Sequence, residues 1–164
     1  MKRMMLLLVI LVGVSVLTAC KSKNEYLELT ELNENQVFTQ KESEYYIYFH
    51  KDNCSGCQSI ITDIQHYNYL TTKNDNLRKI YGINLQKEGE TKSFIYRSYT
   101  GVSGQGDEGN YYVNTVTLWS DLYIAATPTL IVIKDNGKEK TAHYVTHGAS
   151  NIRDYIGGLS ETDK

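Results

Sequence analysis

Residues 45–60 read YYIYFHKDNCSGCQSI, an aromatic and β-branched run, a short polar break, and two cysteines separated by Ser55 and Gly56. The run over 45–49 has the composition of a buried strand. Beyond the cysteines the period changes. Cys57, Ile60, Ile61, Ile64 and Tyr67 fall at i, i+3, i+4, i+7 and i+10, one apolar stripe of a helix, with Gln58, Ser59, Asp63 and Gln65 opposite. Cys54 is therefore expected at a helix start, with Cys57 one turn inside.

That position has chemical consequences. The first N–H groups of a helix lack intrahelical partners, and together with the helix dipole they favour an anion. A thiol there loses its proton more easily, and cysteines in such settings ionise anywhere from about pH 3.5 to 7.5. Cys54 is thus the candidate nucleophile towards a client disulfide, and Cys57 is placed to resolve the mixed disulfide that results. Ser55 adds little bulk and Gly56 leaves room for a client chain. A structural staple is a poor explanation, because the loop closed is tiny and disulfide stabilisation grows with loop length. Metal ligation is the rival reading, with His50, His143 or His147 as further ligands and the last two expected on one side of a strand. A single CxxC, however, lacks the second ligand pair of a structural zinc site.

The chain opens MKRMMLLLVILVGVSVLTAC. Lys2 and Arg3 precede an apolar run from Met4 to Leu17, shorter than the roughly 20 residues of a membrane span. The pattern is that of a secretory signal peptide. Leu17-Thr18-Ala19-Cys20 resembles the lipobox of bacterial lipoproteins. The resemblance implies removal of residues 1–19 and lipidation of Cys20, hence an extracytoplasmic protein anchored by acyl chains in a bacterial cell membrane. An ordinary signal peptide, or an uncleaved anchor, is the alternative. With Cys20 lipidated, the three cysteines reduce to one pair.

Removing 19 residues from 164 leaves enough chain for one domain. Residues 20–26 form a polar tether and 27–164 the domain. A net charge of −2, with no basic cluster, argues against a nucleic-acid partner. A short strand is expected at 26–30, a weak helix at 31–41 and a strand at 80–85. Residues 86–112, with Gly101, Gly104, Gly106 and Gly109, look like a surface loop; no Gly-Lys-Ser/Thr follows to make it a phosphate cradle. Val116, Trp119, Leu122 and Tyr123 suggest a helix. ATPTLIVIKDNGK then gives a strand at 129–133 and a hairpin turn at Asp135-Asn136-Gly137, with a partner strand at 139–146. Ser150 is the expected cap of a last helix carrying Ile152, Tyr155, Ile156 and Leu159.

In this order of elements the chain resembles the thioredoxin-fold thiol–disulfide oxidoreductases. The matching pieces are strand-CSGC-helix, Thr127-Pro128 before an apolar strand about 70 residues on, the DNG hairpin and Gly148 ahead of the last helix. The resemblance implies a three-layer α/β fold, with a central mixed sheet of 4–5 strands flanked by helices and an insertion before the proline strand. It implies a cis bond at Pro128, lying against the cysteines, and a Thr127 backbone that pairs with an extended client. It also implies a redox-active Cys54–Cys57 disulfide with neither cofactor nor metal. The expected partners are exported proteins with thiols or disulfides and a membrane redox partner, and the expected state is a monomer. A non-catalytic accessory module of an export or conjugation machine is the second reading. Three positions depart from the common pattern: Asn53 replaces an aromatic residue, Ser55-Gly56 replaces Gly-Pro, and Tyr48 stands where an acid is often buried. They argue against a general cytoplasmic-type reductase and leave the redox direction open, with Tyr48 read as an ordinary core tyrosine.

Overall fold

The computed structural model describes residues 27–85, 113–124 and 126–161. The leader, Cys20, the tether and the 86–112 insertion lie outside the described residues. Strand β1 (Glu44–His50) is the hydrophobic centre, with Tyr45 to Phe49 all fully buried. β2 (Ile80–Asn84) pairs parallel to it on one side, with Tyr46 opposite Ile80 and His50 opposite Asn84. On the other side β3 (Thr129–Asp135) runs antiparallel, and β4 (Lys140–His147) pairs antiparallel with β3, giving the order β2-β1-β3-β4. A strand buried on both faces has no polar side to alternate with, which is why β1 reads as a continuous apolar run. This mixed sheet with flanking helices is the thioredoxin-like architecture expected from the resemblance.

The faces are covered differently. The cysteine helix (Ser55–Thr71) and the C-terminal helix (Ala149–Glu161) lie on the face formed by Tyr46, Tyr48, Leu130 and Val132. Ile60, Ile64, Ile152 and Ile156 fill that layer, each isoleucine contributing about 1.5–3 kcal/mol on burial. Arg153 bonds Asp63 and the Ser59 carbonyl, tying the two helices together. On the opposite face Tyr45, Ile47, Phe49, Ile131 and Ile133 pack under Leu32, Val37, Val113, Leu122 and Ile124.

That second cover corrects two expectations. The helix expected at 31–41 is a three-residue 3-10 turn, Glu34–Gln36, capped reciprocally by Asn33 and Gln36. The helix expected around Val116–Tyr123 is only the 3-10 turn Trp119–Asp121. There the backbone of Thr115 and Val116 bonds both ways with Ala142 of β4, so hydrogen bonding to the sheet edge displaces helical bonding. In place of the strand expected at 26–30, residues 27–30 form none, and the next residue, Glu31, makes an isolated bridge to Gly82. Ser150 is not the cap of the last helix: the helix already runs from Ala149, and Gly148, at φ +83°, supplies the carbonyl for Ile152 N–H. That left-handed backbone is one glycine adopts readily.

Tyr45, Tyr46, Tyr48 and Tyr67 act as core residues with a polar tip. Tyr45 donates its hydroxyl to the Val37 carbonyl (2.7 Å), Tyr48 to the Cys57 carbonyl (3.3 Å) and Tyr67 to the Arg78 carbonyl (3.0 Å). Tyr46 and Tyr155 bond each other at 3.0 Å. A buried phenol bonded in this way adds apolar area without an orphaned hydroxyl.

Candidate active site around Cys54 and Cys57

The buried strand β1 ends at His50 and the polar break 51–53 turns the chain into the cysteine helix. Cys54 is its N-cap, in extended conformation at φ −107°, ψ 107°. Its Sγ accepts the Cys57 N–H at 3.1 Å, taking up one of the amides that a helix start leaves unpaired. Cys54 and Cys57 are joined as a disulfide, with their Cα atoms 5.2 Å apart. Cys54 is half-buried, whereas Cys57 is 3% exposed. Of the two cysteines, Cys54 is the more exposed.

The remote partner sits where expected. The Thr127–Pro128 peptide is cis, and the Thr127 carbonyl oxygen lies 3.5 Å from Cys54 Sγ. Pro128 is buried against the helix start: a Cβ placed on Gly56 would meet Pro128 Cδ at 3.3 Å and Ala149 Cβ at 3.8 Å. Gly56 thus lets the proline strand and the cysteine helix approach closely. Thr129 Oγ1 donates to the Ala126 carbonyl, and Gly148 N–H to the Pro128 carbonyl, so the segment is held from both sides. Ser55 is exposed beside Cys54.

Tyr48, at the position of the missing acid, lies wholly buried under Cys57, with its hydroxyl on the Cys57 carbonyl. Burial, reinforced by the Glu31 charge, pushes its phenol far above the ordinary tyrosine range, so it stays protonated. The three histidines do not form a ligand set. His143 bonds Thr141, and His147 bonds the Tyr144 hydroxyl. A bulge opposite Leu130/Ile131 interrupts the alternation of β4 between them, so the expectation that both point to one side is corrected. His50 Nε2 is hydrogen-bonded to Glu31 Oε1 at 2.8 Å. Among the described residues no three His, Cys, Asp or Glu side chains are grouped to hold a metal ion.

Sequence reasoning missed one part of the site's surroundings. Glu31 reaches across to His50, and its other oxygen accepts the Asn84 N–H at 3.0 Å. Asn84 in turn donates to Asp52 at 2.6 Å. Nothing in the spacing of these residues announces the cluster, because it joins three segments that are distant in sequence.

No family model matches the chain, and no curated protein matches it. Solved structures do. Thioredoxin f2 of Chlamydomonas reinhardtii is similar at 15% identity over 84% of this chain and 97% of that one, with a TM-score of 0.47. Chloroplastic thioredoxin z is similar at 15% identity over 82% and 96%, with a TM-score of 0.45. The first thioredoxin domain of mouse protein disulfide-isomerase A4 is similar at 14% identity over 90% of each chain, with a TM-score of 0.42. On its own geometry the chain is a thioredoxin-like α/β protein with a dithiol pair at a helix start, an arrangement suited to thiol–disulfide exchange.

Proposed function

We propose that this chain is a membrane-tethered, extracytoplasmic thiol–disulfide oxidoreductase that exchanges disulfides with exported proteins through Cys54 and Cys57. One observation carries the reading. Cys54 Sγ, on the more exposed cysteine of the pair, caps a helix, accepts the Cys57 N–H and lies beside the cis Thr127–Pro128 segment.

In the reducing direction, Cys54 thiolate attacks a client disulfide. One client sulfur leaves as a thiolate, and the other becomes bonded to Cys54 Sγ. Cys57 then attacks Cys54 Sγ, expelling the second client thiolate and regenerating the Cys54–Cys57 disulfide. Both electrons pass to the client; in the oxidising direction the same steps run backwards. The Thr127 backbone and Pro128 shape the groove in which an extended client lies, and Ser55 and Gly56 keep it clear of bulk. A membrane redox partner resets the pair. Tethering rests on residues 1–20, with Cys20 as the lipidated residue, and the protein acts as a monomer.

The direct test is a Cys57→Ala variant, which stalls the reaction after its first half. It is expected to accumulate clients as mixed disulfides through Cys54, visible on non-reducing gels and lost in Cys54→Ser/Cys57→Ala. Recovery of no such adducts would overturn the mechanism. Loss of labelled-palmitate incorporation in Cys20→Ala tests the anchor independently.

A further inference from the structure

Cys57 must lose its proton before it can attack, yet it is 3% exposed, and the side chain beneath it is Tyr48 rather than an acid. A cavity of about 260 Å³ reaches this cysteine, lined by Tyr48, His50, Lys51, Asp52, Gln58 and Ile61. Tyr48 cannot take the proton, because its phenol is itself held protonated. A carboxylate is ordinarily a weaker base than an imidazole, and Asp52 already accepts from Asn84. A lysine side chain is ordinarily an ammonium with no site to accept a proton, which sets Lys51 aside. Among the described residues that line the cavity, His50 supplies the imidazole, the side chain suited to general base work.

Its setting is that of a built base. His50 Nε2 lies 2.8 Å from Glu31 Oε1, and a carboxylate only accepts, so in the neutral ring Nε2 carries the hydrogen and Nδ1 is left as the proton acceptor. The ring stacks on Tyr48 at 5.4 Å, with 14° between planes. Glu31 is fixed as well: its other oxygen takes the Asn84 N–H, and its flanking residues bond Gly82 through Thr30 O and Leu32 N. A carboxylate behind the imidazole holds its tautomer and stabilises the cation formed on protonation.

Resting on the exchange reaction above, we propose that His50, oriented by Glu31, is the base that ionises Cys57 in the resolving step. The Cys57 proton crosses the cavity, through a water, to His50 Nδ1. The Cys57 thiolate attacks Cys54 Sγ, and the Cys54–Cys57 bond forms as the Cys54–client bond breaks. The expelled client thiolate collects the proton from the imidazolium. Glu31 is the positioning residue. The charged or titratable groups facing this pair are Glu31 from the segment before β1, Tyr48 on β1, Lys51 and Asp52 after it, and Cys57 on the cysteine helix.

The test uses the full-length reduced protein in detergent with an aromatic disulfide whose thiolate is coloured, 5,5′-dithiobis(2-nitrobenzoate). Attack by Cys54 releases the first thiolate, and resolution by Cys57 releases the second. In His50→Gln the ratio of second-phase to first-phase rate is expected to fall about 100-fold near neutral pH, in the range of general base catalysis. The deficit should vanish in alkali, where hydroxide ionises the thiol. Added imidazole should restore the second phase in His50→Ala, and Glu31→Gln should show a smaller fall of the same kind. An unchanged ratio at every pH, or a deficit that imidazole and alkali both leave in place, overturns the assignment while leaving the exchange reaction standing. Absence of the first phase in the unaltered protein overturns both.

Discussion

Reducing the disulfide exchanges one stabilisation for another, and the balance depends on pH. Cross-linking residues three apart closes a loop of four, for which the chain-entropy relation gives about 1.9 kcal/mol at 25 °C. In the reduced protein a Cys54 thiolate is expected to keep the Cys57 N–H that the disulfide sulfur accepts, as a charge-assisted hydrogen bond worth roughly 1.5–3 kcal/mol. The helix N-terminus adds about 0.3–1 kcal/mol. Because Cys54 is half-exposed, the low end of that sum, about 2 kcal/mol, is the appropriate figure. On that expectation the folded-state thiol is the more acidic one, so its contribution is complete above the ordinary thiol range and is lost as pH falls through the folded value. Oxidised and reduced protein should therefore melt within about 2 °C of each other near pH 9. Near pH 5 the oxidised form should lead by about 2 kcal/mol, or roughly 8 °C for a domain of this size. Calorimetry with and without a phosphine reductant, at several pH values, measures the gap directly. A gap that stays constant from about pH 5 to pH 9 would refute the claim that the fold stabilises a sulfur anion at residue 54, and Cys54→Ser supplies the pH-independent control.

Gly56→Val would drive a branched side chain into Pro128 and Ala149, where even a Cβ meets Pro128 at 3.3 Å. Overpacking of this kind costs about 1–3 kcal/mol, and displacement of Thr127–Pro128 should slow the first exchange phase; a variant with normal melting and rate would show that the contact is slack. Ile64→Ala, at a fully buried position between the helix and the sheet, should cost about 2–5 kcal/mol by denaturant unfolding. Glu42 carries a pH signal of its own. Burial pushes its carboxyl up, but its own backbone N–H, the Tyr81 hydroxyl at 2.9 Å and Lys79 at 3.2 Å outweigh this and lower it. Its stabilisation is present above the ordinary carboxylate range and lost as pH falls through the lowered value, so Glu42→Gln should flatten the acid side of the stability curve. Parallel curves for the two proteins would remove Glu42 from the account.

The elements legible in the sequence are those whose signal is local and strong. β1 declared itself as an aromatic run with no polar alternation, and the cysteine helix through the spacing of Ile60, Ile64 and Tyr67. The Thr127-Pro128 strand and the Asn136-Gly137 hairpin followed from backbone chemistry. Expectations failed where weak local patterns met tertiary competition. Leu32, Val37 and Phe38 resemble half a helix, but they serve as a lid over the sheet, with Tyr45 bonding the Val37 carbonyl. Val116, Trp119 and Leu122 do the same, while Thr115 and Val116 bond Ala142.

Local sequence determined that a thiol would begin a helix, since strand composition, turn residues and helical spacing act over a few positions. It could not determine what would stand beside that thiol. Thr127 comes within 3.5 Å of Cys54 across 73 residues, and Glu31 meets His50 across 19, because the sheet order brings β3 alongside β1 and the Glu31–Gly82 bridge holds the incoming chain against β2. Contacts of that range are fixed by which faces are buried together, and burial is a property of the assembled layers rather than of any one segment.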